Sequence, residues 1–212
     1  MPDTERAADA VFLQFAKWPE AGRVKTRLMP ALGADGALDA HNRLTLSVLD
    51  NLCATGYPVQ FWWDRLCEDD LADAATILQE VEGAGLVQNT QQGATLGDRM
   101  EAALSTSLQA HSRALVVGSD CPSVDPAYAR KAVECLACHD VVLGPSEDGG
   151  YVLIGAARVV EGMLSGIDWG TSRVLAQTCE RLEEKGLSFA LLEPRWDVDE
   201  PEDWLRFLRQ VQ

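Results

Sequence analysis

The chain alternates continuous apolar runs with amphipathic stretches. AVFLQFA (10–16) is the first such run and predicts a buried strand. A polar, cation-rich loop follows, then a helix across about 34–54. PVQFWW (58–63) predicts a second strand, DLADAATILQE (70–80) a helix, and a weaker strand lies near 86–90. TLGDRMEAALSTSLQA (95–110) is amphipathic at helical spacing and opens on a threonine at the cap position. ALVVGS (114–119) reads as a buried parallel strand that ends in polar residues. DPAYARKAVECLA (125–137) is a helix with Asp at its cap and Pro in its first turn. DVVLGP (140–145) and YVLIGAA (151–157) are strands joined by SEDGG, which is hairpin chemistry. TSRVLAQTCERLEEKG (171–186) is a helix with a glycine stop, and LSFALLE (187–193) is a strand. PEDWLRFLRQ (201–210) is a closing helix with Pro and acids at its start.

Strands alternating with helices imply an α/β fold with a mostly parallel sheet. The 140–157 hairpin breaks the alternation, so the sheet is expected to be mixed. With 212 residues and no repeat, low-complexity tract or linker, the expectation is one domain over residues 1–212. In open α/β sheets ligands sit beyond the carboxyl ends of the strands. That rule puts the cationic loop, the SDCPS loop and the DGG turn on one rim.

Charge sharpens the picture. The formal net charge is −15 and the isoelectric point is near 4.5. Nucleic acid and anionic membranes are therefore poor partners, but small anions in a local pocket are not excluded. The opening MPDTERAADA has no apolar core of a secretory signal. No apolar run reaches the ~18–20 residues of a membrane span. A soluble, cytoplasmic protein is expected. The six cysteines, scattered and without an export signal, read as free thiols. CLACH (135–139) spells a haem-attachment motif but reads more simply as a helix end running into a strand, and no second CxxC completes a zinc site.

Against this acidic background FAKWPEAGRVKTRL (15–28) stands out. It holds Lys17, Arg23, Lys25 and Arg27, opposed only by Glu20. Arg and Lys neutralise phosphate oxygens, and Gly22 lets backbone approach closely. The spelling is neither a P-loop nor a dinucleotide fingerprint. A solvated charge run is the plain alternative. Its place after a strand, in so acidic a chain, favours phosphate binding.

In VVGSDCPSVDP (116–126) a buried strand delivers Asp120 to the rim, where a carboxylate can hold Mg²⁺ or Mn²⁺. Ser-Asp-Cys-Pro is equally turn chemistry, and Asp125 is more simply a helix cap. In GPSEDGGYVLIG (144–155) Asp148 and Glu147 either face a substrate or only form a hairpin turn. In WDVDEPEDW (196–204) Asp197 and Asp199 alternate along an extended segment and can share a face, as metal ligands or as acids favoured before a helix. No GxSxG elbow is present, and none of the three histidines is placed beside an obvious nucleophile, which argues against a His-dependent hydrolase. Trp62 and Trp63 suit the core and the sheet surface. Trp18 and Trp169 fall in loops, where they stack on a ligand or are buried at a loop base.

FAKWPEAGRVKTRL, LGDRM (96–100), GSDCPSVDP, GPSEDGGYVLIG, IDWGTSRVL (167–175) and WDVDEPEDW occur in the order seen in a bacterial family of uncharacterised nucleotide-diphospho-sugar transferase-like proteins, and the chain resembles that family from about residue 11 to 208. Some members are assigned as glycosyltransferases associated with arsenosugar biosynthesis. The resemblance implies the GT-A fold, a Rossmann-like sandwich, with similar proteins among the molybdenum-cofactor and phospholactate guanylyltransferases. It implies nucleotide phosphates on Lys17, Arg23, Lys25 and Arg27, Gly97 and Arg99 near the nucleotide, and a metal on Asp120. Here SDC stands where an aspartate-rich metal motif is usual, so Asp148, Asp197 or Asp199 must complete the metal shell, with Asp199 taken as the second ligand.

Three functions are then expected in order. The first is a Mg²⁺- or Mn²⁺-dependent glycosyltransferase using a nucleotide-diphospho-sugar and a small-molecule acceptor, with Asp148 as general base of an inverting course. The second is a nucleotidyltransferase joining a nucleoside triphosphate to a phosphorylated small molecule with release of pyrophosphate. The third is a nucleotide-binding module without catalysis. Fold cannot choose among them.

Overall fold

The computed structural model describes residues 9–65 and 72–210. Cys67, the start of the helix expected over 70–80 and most of the charged opening segment lie outside the described residues. The strands are β1 (Ala10–Ala16), β2 (Val59–Trp63), β3 (Val87–Thr90), β4 (Arg113–Gly118), β5 (Val141–Pro145), β6 (Tyr151–Ala156) and β7 (Phe189–Leu191). The helices are α1 (Met29–Cys53), α2 (Ala75–Gly83), α3 (Leu96–Ser107), α4 (Pro126–Cys135), α5 (Val174–Glu184) and α6 (Pro201–Gln210).

One seven-stranded sheet runs β3-β2-β1-β4-β6-β5-β7. Only β6 is antiparallel to its neighbours, so the expected mixed, mostly parallel α/β sheet is what forms. Alternate residues of β1 feed two different cores, as strand periodicity requires. Phe12 and Ala16 pack with Val48, Leu52, Ile77 and Tyr128, under α1, α2 and α4. Leu13 and Phe15 pack with Met100, Leu104 and Val174, under α3 and α5. A third cluster seats α6 on α1 through Leu44, Trp196, Trp204 and Phe207.

Several elements lie where local chemistry puts them. Thr95 caps α3 in a reciprocal box: its hydroxyl accepts from Asp98 N at 3.1 Å, and the Asp98 carboxylate accepts from Thr95 N at 3.0 Å. Asp125 caps α4 by accepting from Tyr128 N at 2.8 Å. Other boundaries differ. A 3₁₀ turn at Thr26–Leu28 leads directly into α1, which starts earlier than expected because Pro30 opens it and Gly33 (φ 72, ψ 176) kinks it. Residues 157–173 form a long connection in which Met163, Leu164 and Ile167 are buried.

The topology decides where a ligand sits. From β1 the chain steps outward through β2 and β3, then returns across β1 to β4. The reversal lies between β1 and β4, and a crevice opens there beyond their carboxyl ends. Because β5 and β7 run parallel to β4, their following loops reach the same rim. Among the described residues no helix is long and apolar enough to cross a membrane.

Candidate active site

The crevice has two compartments that share a wall. The first, about 460 Å³, is lined by Lys17, Arg23, Lys25, Arg27, His41, Arg99 and Asp120 among others. The second, about 450 Å³, is lined by Asp148, Asp197, Tyr151, Trp169 and Thr171 among others. Lys17, Arg27, Asp120 and Asp199 border both.

The expected cations converge on one compartment. Arg23 and Arg27 are exposed on the first compartment; Arg23 pairs with Glu20 at 3.2 Å, and Arg27 reaches Asp199 at 3.4 Å and Glu200 at 3.5 Å. Arg99 lines the same compartment and donates from Nε to the Gly93 carbonyl at 3.2 Å. Lys25 is committed elsewhere. Its backbone is left-handed (φ 45, ψ 44), uncommon for a residue with a side chain. That turn drives the ammonium inward, where the side chain is only 8% exposed. It donates to Asp120 Oδ2 at 3.0 Å, to Asp199 Oδ1 at 3.3 Å and to the Val198 carbonyl at 2.5 Å. Sequence reasoning expects Lys25 on a ligand's phosphates; in the fold its ammonium is paired with the carboxylates of Asp120 and Asp199.

Asp120 and Asp197 meet here with their acidities shifted in opposite directions. Burial alone would raise Asp120, but the Lys25 charge and hydrogen bond hold it down to about 2. Asp197 is pushed up to about 6, first by burial and then by the nearby Asp120 and Asp199 charges; the Ser146 hydroxyl donates to it at 3.0 Å. Asp203 accepts from Asp199 N at 3.2 Å and Glu200 N at 2.9 Å at the start of α6, a capping role that Asp199 does not fill. His41, on α1, is pushed down to about 4 by burial and by Lys25, so it adds no charge at neutral pH; its Nε2 lies 3.1 Å from the Lys17 carbonyl.

The Asp197 shift has a sign that can be checked. Below pH ~4 Asp197 is neutral folded and unfolded; between ~4 and ~6 only the unfolded chain ionises, so its contribution to stability falls with rising pH, then levels off. Asp197→Asn is expected to remove that decline, as read by urea unfolding at several pH values. A decline of the same size in the variant would assign it to other groups.

Other expected residues fall out differently. Asp148 is exposed at the lip of the second compartment, and its Oδ1 accepts from Gly150 N at 2.9 Å within the turn. Glu147 is clamped by Arg206 at 2.8 and 3.2 Å. Gly97 lies outside the lining of either compartment. It is buried in α3, where a Cβ would stand 2.5 Å from the Leu164 carbonyl oxygen and 3.0 Å from the Trp169 ring. Its geometry is that of close packing between α3 and the 157–173 connection. Gly97→Ala is therefore expected to cost about 1–3 kcal/mol of unfolding free energy by overpacking. Thermal unfolding measures this, and an unchanged midpoint would show that the connection yields.

Trp18 is buried against Trp63, with ring centroids 5.0 Å apart, whereas Trp169 stands in the second compartment edge-on to Tyr151 at 6.1 Å. At the other end of the chain's chemistry, Cys135 closes α4 and its carbonyl lies 3.1 Å from His139 Nδ1. Sequence reasoning misses the placement of His41. Its helical spacing alone would have put it on the same buried face of α1 as Ala37 and Leu44, but nothing local shows that this face meets the crevice.

Residues 53–171 match the family model described as "Uncharacterized protein conserved in bacteria (DUF2064)". The chain belongs to that family. The matched DUF2064 stretch contains Arg99, Asp120 and Asp148; the cationic loop and Asp197–Asp199 lie outside it. No curated protein matches the chain. Among solved structures, this DUF2064 protein is similar to one from Desulfovibrio desulfuricans G20 named provisionally as a nucleotide-diphospho-sugar transferase, at 29% identity and TM-score 0.81, covering 90% of this chain and 82% of that one. It shares its fold with 4-diphosphocytidyl-2C-methyl-D-erythritol synthase from Anaerococcus prevotii DSM 20548, at 10% identity and TM-score 0.62 over 97% of each chain. It shares it also with Rv0371c from Mycobacterium tuberculosis H37Rv, solved with manganese, at 17% identity and TM-score 0.53, covering 95% of this chain and 98% of that one. The fold is thus the GT-A-like architecture common to sugar- and nucleotidyl-transferring enzymes.

Proposed function

We propose that this DUF2064 protein is a glycosyltransferase that moves a sugar from a nucleotide-diphospho-sugar to a small-molecule acceptor. The observation that carries the reading is the paired crevice: a cation-lined compartment at the β1/β4 reversal meets a carboxylate-bearing one across Asp120 and Asp199. Such a layout suits a leaving group that gathers negative charge and a neighbour that must lose a proton.

The fit to a divalent cation rests on Asp120 and Asp199. Each gives one oxygen to Lys25, and Asp199 gives its other to Arg27 at 3.4 Å, yet their side chains stay 39% and 44% exposed. Among the described residues no three His, Cys, Asp or Glu side chains form a ready-made cage. Two carboxylates suit Mg²⁺ or Mn²⁺, which keep waters or substrate phosphates as remaining ligands. When bound, the ion would supply charge neutralisation at the departing diphosphate. The chain's own residues do the rest. Lys17, Arg23, Arg27 and Arg99 hold the phosphates. Lys25 keeps Asp120 ionised and holds Asp120 and Asp199 in place through its ion pairs. Asp148, at the lip, takes the proton from an acceptor hydroxyl in an inverting course.

Nucleotidyl transfer is the second reading, favoured by the fold shared with the erythritol cytidylyl synthase and by the suitability of the same cations for in-line attack on a triphosphate. Calorimetric titration of UDP, GDP, CDP and ADP and the matching triphosphates, with and without Mn²⁺, separates the two. The expected result is one diphosphate bound in a Mn²⁺-dependent way, with that dependence lost in Asp120→Asn. Preference for a triphosphate, with pyrophosphate released on turnover, would promote the second reading. No binding to any of them would leave the cationic loop as a solvated charge run and overturn both.

A further inference from the structure

The second compartment carries a charge pattern that selects what enters it. Of the side chains that line it alone, Asp148 and Asp197 are the charged ones, and both are acids. Its cations, Lys17 and Arg27, stand on the wall shared with the first compartment. The arginines around it are engaged. Arg173 pairs with Asp168 at 2.7 Å, Arg206 grips Glu147, and Arg195 lies over the Tyr128 ring at 4.3 Å and reaches Asp125 at 3.6 Å.

A helix start is the other common phosphate cradle, and α5 begins beside this compartment. Its opening N–H groups are already bonded: Val174 N donates to the Thr171 carbonyl at 3.3 Å, and Leu175 N to the Gly149 carbonyl at 3.0 Å. One patch of the lining is aromatic and aliphatic. Tyr151 and Trp169 meet edge to face beside Met100, Ile154 and Val174. Such surfaces take the apolar face of a ring or a carbon skeleton, while carboxylates accept from hydroxyl and ammonium groups.

We infer that the second compartment binds an unphosphorylated acceptor, a neutral or amine-bearing polyhydroxylated small molecule, and that it excludes phosphate monoesters. This rests on the transferase reading and narrows it, because a nucleotidyltransferase acting on a phosphorylated acceptor would need the reverse charge pattern here.

The test is saturation-transfer NMR on the full chain with matched pairs: glucose and its 6-phosphate, glucosamine and its 6-phosphate, glycerol and its 3-phosphate. Saturating inorganic pyrophosphate is present throughout to block the cation-lined compartment. At least one unphosphorylated member should bind, with its phosphate about tenfold weaker or worse, as expected for like charges brought together. Asp148→Lys, an exposed turn position that should leave folding unaffected, should narrow or reverse that preference, while Trp169→Ala should weaken the unphosphorylated ligand. Phosphates that bind as well as their partners despite the pyrophosphate, or failure of every unphosphorylated member to bind, overturn the inference. Nucleotide binding is measured separately by calorimetry. Its absence defeats the transferase reading, whereas the charge preference of the second compartment is decided by the matched pairs alone.

Discussion

Lys25→Met is expected to lower the unfolding free energy by about 2–3 kcal/mol at neutral pH, with the loss shrinking in acid. Lys25 is the cation between two carboxylates and a carbonyl, and methionine leaves all three without it. Breaking a fully buried ion pair costs about 3–5 kcal/mol. The smaller figure applies because the Asp120 and Asp199 side chains stay 39% and 44% exposed, so water screens the charges left behind. Methionine keeps most of the stem's bulk and the same left-handed backbone requirement, so packing and strain change little. The pH dependence isolates the charge effect. Against the effect of burial, the Lys25 ammonium holds Asp120 down to about 2, below the ordinary range of about 4 for an aspartate. Its pairing therefore stabilises fully above about pH 4 and is lost as pH falls through about 2. Urea unfolding of both proteins between pH 7 and pH 3 reads this out. A gap that stays constant with pH would mean that the Lys25 stem matters by packing alone.

The second large effect is on binding. Arg23→Ala combined with Arg27→Ala is expected to weaken nucleotide affinity by about a hundredfold or more with little change in stability. Both side chains line the first compartment and are 62% and 65% exposed. A charge-assisted hydrogen bond to phosphate contributes about 1.5 kcal/mol or more, so two together amount to about 3 kcal/mol. Exposed ion pairs such as Arg23–Glu20 contribute little to folding, and Glu20 keeps its contact with Arg65. Arg158→Ala, whose partner is Asp140 outside the crevice lining, is the control for losing a surface charge. Calorimetry at low and moderate salt should show the double variant losing much of the salt dependence as well. Unchanged affinity would mean that these arginines do not hold the nucleotide.

Much of the fold is legible because its signals are local. The run at 10–16 is too apolar to be other than buried, Thr95 and Asp125 announce their helices by capping chemistry, and SEDGG between two apolar runs announces the antiparallel β5–β6 hairpin. The places where local reading drifts are those with a tertiary cause. The α1 start moves because the chain kinks at Gly33, and 157–173 is an irregular connection whose apolar residues are buried against α3 and β6 rather than patterned into an element of its own.

The site divides along the same line. That Arg23, Arg27, Asp120 and Asp148 line the crevice is legible from residue type and from their place in the loops of an open α/β sheet, whereas Arg99, inside α3, is expected there only from the family resemblance. Gly97 carries a motif signal of the same strength, yet its neighbours are the Leu164 carbonyl and Trp169, contacts that no local pattern records. Lys25 meets Asp120 across 95 positions and Asp199 across 174. Only the sheet order, which brings the loops after β1, β4 and β7 to one rim, decides that this lysine is an internal counter-ion while Arg23 and Arg27 stay exposed on the crevice. By itself the sequence determined the α/β class, the strand that delivers each loop and the chemical types gathered at the rim, because burial and capping act over a few residues. Tertiary structure alone decided which charges neutralise one another, how the crevice divides in two and which acids face its second half, because Coulomb interactions and close packing depend on distances that chain separation does not reveal.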